Sequence, residues 1–336
     1  MTDSVFVTGG TGFLGRHLIP ALCRAGYAVR VLTRHASAHP WLQDYRNLSI
    51  VEGGITEYDA VCRGAQGSRF IVHAAGFFRF WGDTTEFERT NLDGTQILLN
   101  AARSSGAERI VHISSIAVIG DPDPSRVVDE THPPHPADAY QRSKLAAEQL
   151  ALQYQREHHL PVIVLRPGAF YGELGNYAFN RLFFRDPMRG LIMQINGGRY
   201  ITFPAYVPDV AAAIIAAFER GRVGETYNIC GDPITHKETF DIITREAHLH
   251  YPRMPLPGWL GILSAHVLTG LSTITGREPF YPINLRSYVY NYWRVSNEKA
   301  RRELAFVPTP FVEGARKTIA WYRAGKPETI PGVECL

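Results

Sequence analysis

The sequence predicts an α/β protein, a Rossmann-type doubly wound parallel sheet with a smaller, interleaved and mostly helical lobe toward the C-terminus. Three observations carry this prediction. Short apolar, β-branched runs alternate with helical periodicities through the first half of the chain. A glycine-rich turn separates the first strand from the first helix. After Pro167 the alternation breaks, and aromatic residues, Gly and Pro become dense. Taken in order, Ser4–Thr8 reads as a strand, 16–25 as a helix stopped by Gly26, and 28–32 and 48–51 as the next strands. Strands follow at 69–73, 109–113 and 161–165, with helices at 87–103 and 137–158. In the second half, helices are expected at 209–219, 237–247, 259–273 and 311–323. No linker interrupts the chain. The expected division is therefore a dinucleotide-binding domain over 1–170 and a substrate lobe over 171–330, with about 205–232 returning to the first domain.

Composition narrows the function classes. Of 336 residues, 45% are hydrophobic and 20% charged, which excludes disorder or coiled coil as the main architecture. Lys and Arg (35) exceed Asp and Glu (32) by only three, too few for a nucleic-acid footprint. Cys23, Cys62, Cys230 and Cys335 form no CxxC pair, so a reducing, cytoplasmic setting without a disulfide framework is expected. No metal site is expected either. His35 and His39 flank a loop that runs into Pro40, and His158 and His159 point in different directions. The N-terminus shows neither a basic n-region nor a long apolar h-region. From 254 to 276 the chain carries no Asp, Glu, Lys or Arg, yet two prolines and six hydroxyl or imidazole side chains dilute it. This stretch reads as a lid-like helix rather than a membrane span, with peripheral membrane contact as the open alternative.

Gly9-x-x-Gly12-x-x-Gly15 lies where a dinucleotide turn must lie, after a strand and before a helix. Small residues there let backbone N–H groups approach a pyrophosphate at the helix N-terminus. The second strand ends in Thr33-Arg34 and offers no acidic residue to a ribose 2′-OH. Arg34 could instead meet a 2′-phosphate, so NADP(H) is favoured over NAD(H). Tyr140 and Lys144 are one helical turn apart on one face. A cation beside a phenol favours the phenolate, making Tyr140 a proton donor to a carbonyl or an acceptor from an alcohol. Ser115, at a strand end, is placed to polarise the same carbonyl oxygen. Loop 121–136, rich in proline, reads as a wall of this site.

Together these segments resemble an extended short-chain dehydrogenase/reductase of the NAD-dependent epimerase/dehydratase superfamily. The residues that carry the likeness are Thr8–Gly15, Ala74-Ala75-Gly76, Asn91–Thr95, Ser114-Ser115, Tyr140-x-x-x-Lys144, Arg166-Pro167-Gly168 and 227–231. The resemblance implies Tyr140 as acid/base, Lys144 as its modulator and ribose anchor, and Ser115 as the polarising hydroxyl. It also implies coenzyme contacts from Gly9, Gly12, Phe13, Leu14, Gly15, Ile55, Ala74, Ala75, Gly76 and Asn91. Pro167, Gly168 and Phe170 would border the nicotinamide. Many members carry Gly-Asp after the third strand, whereas this chain has Gly53-Gly54-Ile55.

The branch resembled most is the dihydroflavonol reductase/3β-hydroxysteroid dehydrogenase-like one. Sugar-nucleotide members usually carry Asn where this chain has Ala169. An aromatic run containing Phe77, Phe80 and Trp81 follows the Ala-Ala-Gly turn and suits a small apolar substrate such as a sterol, flavonoid or polyketide. The expected activity is therefore ketone–alcohol interconversion by hydride transfer, with a homodimer implied by analogy. A sugar-nucleotide epimerase or dehydratase is the alternative, and a non-catalytic NADP-binding subunit a second one.

Overall fold

The computed structural model describes residues 3–81, 83–123, 125–276, 278–279 and 283–329. Seven parallel strands form the central sheet. They are β1 (Ser4–Thr8), β2 (Ala28–Thr33), β3 (Leu48–Glu52), β4 (Phe70–His73), β5 (Arg109–Ile113), β6 (Val162–Pro167) and β7 (Thr226–Ile229). Their spatial order is β7-β6-β5-β4-β1-β2-β3, with the reversal between β1 and β4 that opens a crevice at the strand C-termini. Because both faces are covered, the strands are apolar without alternation, and each face has its own core. Val5 and Val7 of β1 pack on one side with Leu18, Ile19 and Ile214, while Phe6 packs on the other with Ile71, Leu98 and Ala151.

The flanking helices are α1 (Gly15–Arg24), α2 (Tyr58–Ala65), α3 (Gly94–Ala102), α4 (Ala139–His158) and α5 (Val207–Arg220). Sequence periodicity missed α2, an eight-residue helix whose buried face is made of Ala, Val and Gly. The expected helix over 87–103 is two pieces: a π-helical segment, Glu88–Asp93, precedes α3. Such π segments recur at functional sites because they rotate one side chain out of helical register. Here the buried residue of the segment is Asn91.

After β6 the chain leaves the sheet, then returns through α5, which packs on α1, and β7, which pairs with β6. The longer helices of this part are α6 (His236–Glu246), α7 (Gly258–Thr275), α8 (Glu298–Leu304) and α9 (Phe311–Arg323). Two-stranded pairings tie this part together. Met193–Ile195 pairs with Met254–Leu256, and Ala169–Tyr171 pairs with Pro204–Tyr206. Cys62 and Cys230 are free thiols among the described residues, and Cys335 lies outside them.

Candidate active site

The site is built at the crevice by three chain segments whose positions follow from local chemistry. The first is the turn after β1. Gly9 has φ +73°, and a Cβ there would lie 2.5 Å from the Ala74 carbonyl carbon, so the turn closes against the end of β4 only with glycine. A side chain at Gly15 would strike the Gly10 backbone, so α1 starts tight against the turn. Thr8 Oγ1 receives the Ala75 N–H at 3.2 Å and fixes the turn that follows β4.

The second segment is the N-terminal half of α4. Asp138 caps α4 by accepting the Gln141 N–H at 2.8 Å, and Gln141 Oε1 reaches back to the Ala137 N–H at 2.6 Å. This reciprocal box starts the helix two residues later than the periodicity predicts. Farther along, Glu148 is buried and takes both Nε (3.0 Å) and Nη2 of Arg166 in β6, plus the Ser114 hydroxyl at 2.5 Å. A bidentate pair in a dry interior locks α4 to β5 and β6 in one register. Tyr140, Lys144 and Glu148 form a single i, i+4, i+8 stripe on the buried side of α4.

The third segment is the end of β5. Ser115 is an N-cap whose hydroxyl accepts from Ala117 N at 3.2 Å, and it also hydrogen-bonds the Tyr140 phenol. Lys144 Nζ donates to the Ile113 carbonyl at 2.6 Å, and a Cβ on Gly76 would lie 3.9 Å from the same nitrogen. Serine, tyrosine and lysine thus converge beside the Ala74–Gly76 turn.

Burial dominates the electrostatics. It pushes the Tyr140 phenol up to about 12, against the downward pull of the Ser115 hydrogen bond. Burial also lowers Lys144 to about 8, with the Glu148 charge working in the opposite direction. The lysine is not among the groups that shift the tyrosine here. The ammonium is aimed at the Ile113 carbonyl, and Asp138 is the charge that acts on the phenol, raising it further. A protonated phenol at neutral pH is a proton donor in waiting. Beneath the lysine, His73 is held between Thr8 and Thr95, each at 2.8 Å, and is pushed down to about 3 by burial and the nearby ammonium.

These groups open into a cavity of about 620 Å³ that runs from the glycine turn to the second lobe. It is lined by Gly9, Gly12, Phe13, Leu14, Arg34, Ala74, Gly76, Ser115, Tyr140, Lys144, Pro167, Gly168 and Phe170, as the sequence leads one to expect. Phe77 and Phe80 line it too, joined by Phe78, Tyr177, Tyr288 and Trp293. The Phe78 ring sits 4.7 Å from that of Tyr140.

Five expected contacts are placed elsewhere. Gly15, Ile55, Ala75, Asn91 and Trp81 do not line the cavity. Ile55 packs on Gly94 instead. Asn91 spends its amide on Phe77 N (2.7 Å), Phe77 O (3.1 Å) and Ser143 Oγ (2.9 Å), so it stitches the aromatic segment to α4. The backbone at Phe80 is pinned by the Tyr177 hydroxyl (3.0 Å) and Asn284 (3.0 Å), which leaves Trp81 just past the wall. Loop 121–136 is not a wall of the site. None of its described residues lines the cavity; instead Val127–Val128 pairs with Arg294–Val295, and Glu130 accepts the Asn228 N–H at 2.8 Å.

Sequence reasoning missed Asp138, Glu148 and Tyr288. The Asp-x-x-Gln spacing before a helix was a readable signal for Asp138. Glu148 could have been found by extending the Tyr–Lys stripe one more turn. Tyr288, which donates to Asp138 at 3.0 Å, carries no local signal, because its partner is 150 residues away.

Can this crevice hold a dinucleotide? The glycine cradle that a Cβ would fill, the helix start behind it and the cavity beyond fit such a group. The main cradle would come from Gly9, Gly12 and Leu14. A Rossmann crevice ending in a Ser–Tyr–Lys set defines a nucleotide-dependent short-chain dehydrogenase/reductase. More narrowly, the chain belongs to the NAD dependent epimerase/dehydratase family, whose model matches residues 5–230.

Individual relatives span several reactions. The chain is 32% identical over 308 residues to a 4-hydroxy-2-methyl-3-oxo-4-farnesyl-3,4-dihydroquinoline-1-oxide ketoreductase of Stigmatella aurantiaca, covering 90% of this chain and 91% of that one. It is 30% identical to a ceramide reductase of Caulobacter vibrioides (95% and 94% covered) and 31% identical to a dTDP-glucose 4,6-dehydratase of Streptomyces niveus (95% and 92%). Among solved structures, gox2253 superposes with a TM-score of 0.82 at 27% identity, over 96% of this chain and 99% of that one.

Proposed function

We propose that the chain is a reductase of ketones on a small apolar substrate, sterol-, flavonoid- or polyketide-like, using NADP(H) in preference to NAD(H). The observation that carries this reading is the pairing of Tyr140, hydrogen-bonded to Ser115, with a cavity walled by Phe77, Phe78, Phe80, Tyr177 and Tyr288. When bound, the nicotinamide supplies the hydride. Tyr140 gives its proton to the substrate oxygen, and Ser115 polarises that oxygen through its hydroxyl. Lys144, held on the Ile113 carbonyl one helical turn from Tyr140, would anchor the nicotinamide ribose. In the reverse direction the same groups take the proton from an alcohol.

The coenzyme preference rests on Arg34, which is exposed, lines the cavity beside Gly54 and stands at the end of β2, where an acidic side chain would otherwise meet the ribose. Two of the relatives quoted above are a ketoreductase and a ceramide reductase, names that favour the apolar reading. The test is a panel of apolar ketones and sugar nucleotides, each assayed with NADPH and NADH. The expected outcome is NADPH-dependent reduction of apolar ketones, with Arg34→Ala weakening NADPH binding and sparing NADH. Turnover of sugar nucleotides alone, on a tightly retained NAD, would replace this reading with the epimerase/dehydratase one.

A further inference from the structure

α7 breaks the usual rule for a surface helix. It is 18 residues long, contains no Asp, Glu, Lys or Arg, and turns its largest apolar side chains outward. Trp259 is 68% exposed and Ile274 83%, and Leu263, Val267 and Leu271 between them are also exposed. Positions 259, 263, 267, 271 and 274 are three or four apart, so they form one continuous stripe down the helix. A helix that is apolar all round is normally buried or in contact with lipid. No helix among the described residues is long and apolar enough to cross a membrane. At 1.5 Å per residue α7 extends ~27 Å, and its other face is already occupied by protein.

That other face matters. Ala265 is buried, and with Leu268 it packs against Leu285 and Val289, both of which line the catalytic cavity. The stripe therefore lies on the outside of the cavity wall. Around it stand groups suited to a lipid–water boundary. Exposed Tyr292, bonded to Asn196 beside Gly258 at the start of α7, joins Trp259, and aromatic side chains of this kind prefer the interfacial zone. Exposed Arg199 lies three residues from Asn196, which bonds Tyr292, and exposed Arg286 follows directly on Leu285. Arg199 donates Nε and Nη2 to Asn196 (3.2 and 3.1 Å), but neither arginine is ion-paired among the described residues, so both charges can meet anionic headgroups.

We infer that α7 is an interfacial helix that seats the protein on the surface of an anionic lipid bilayer. The stripe enters the acyl boundary, and Arg199 and Arg286 face the headgroups. A consequence that rests on the apolar-reductase reading is that a lipid-soluble substrate reaches the cavity from the bilayer; the membrane contact itself does not depend on that reading.

The experiment is co-sedimentation of the full chain with phosphatidylcholine vesicles, with and without phosphatidylglycerol. It compares the wild type with the exposed-stripe variant Trp259→Ser/Leu263→Ser/Leu271→Ser. The wild type is expected to sediment with the mixed vesicles, and the variant to lose about ten-fold or more in partitioning while keeping its circular dichroism and melting temperature. Should the variant misfold, Arg199→Gln/Arg286→Gln gives a second reading, with weaker binding confined to the anionic vesicles. A wild type that stays in the supernatant with both vesicles overturns the inference. So does a vesicle-indifferent protein whose dimer, seen by sedimentation velocity, dissolves in the triple variant, since the stripe would then cover a second copy. Vesicle binding is read without turnover, so its failure and the failure of the reductase assignment are separate results.

Discussion

The two longest helices make opposite uses of the burial rule. α4, with 20 residues, buries Gln141, Lys144 and Glu148, whereas α7, with 18, exposes Trp259, Leu263, Val267, Leu271 and Ile274. Charges are rarely fully buried unless paired, and large apolar stripes are rarely left in water. In α4 the inversion is supported from within: Glu148 meets Arg166 and Ser114, and Lys144 meets the Ile113 carbonyl. In α7 nothing within the described chain covers the stripe. The contrast teaches that a buried charge with its partners present marks a machine part, while an exposed apolar face without one marks a surface awaiting another phase.

The largest expected effect breaks the α4 side at its chemical end. Tyr140→Phe removes the proton donor and should lower the reduction rate by about 10²–10⁴-fold, the range for loss of one acid–base group. Coenzyme binding, followed by protein fluorescence, should persist. Retained turnover would move the acid role away from Tyr140.

Next comes the internal support of α4. Glu148→Ala leaves the Arg166 guanidinium buried without its carboxylate and should cost about 3–5 kcal/mol of unfolding free energy in urea titrations. Pairing it with Arg166→Met should recover much of that loss, because an apolar pair needs no desolvation of charge. A single variant as stable as the wild type would mean that Glu148 does not hold the helix.

The smallest effect belongs to α7. Leu271→Ser, on the exposed stripe, should change stability by no more than about 0.5 kcal/mol. Ala265→Leu, on the inner face, should overpack the cavity wall and cost about 1–3 kcal/mol. Equal effects at the two positions would erase the distinction between the faces.

Much of the fold and the site was legible in the residues because it is local. The strand–turn–helix at Ser4–Arg24 depends on glycines a few residues apart, and the Tyr140–Lys144 pair on helical spacing. The absent charges of 254–276 could be read without any partner. What escaped was non-local or out of register. Helix α2 is too short for its Ala and Gly face to stand out. Asn91 was rotated by a π segment into a bracing role with Phe77 and Ser143. Loop 121–136 looked like a wall but spends its backbone on distant partners.

The sequence alone therefore determined the sheet, the glycine turn and the helical spacing of Tyr140 and Lys144, since short-range sterics and periodicity suffice for these. Only the tertiary structure decided how those groups behave. Whether burial or a neighbouring cation governs Tyr140, and whether Lys144 faces the phenol or a carbonyl, depends on the surrounding dielectric and on atoms brought together from far along the chain. The same holds for α7: its composition was plain, but which side chains met the cavity wall and which met the outside was settled by packing.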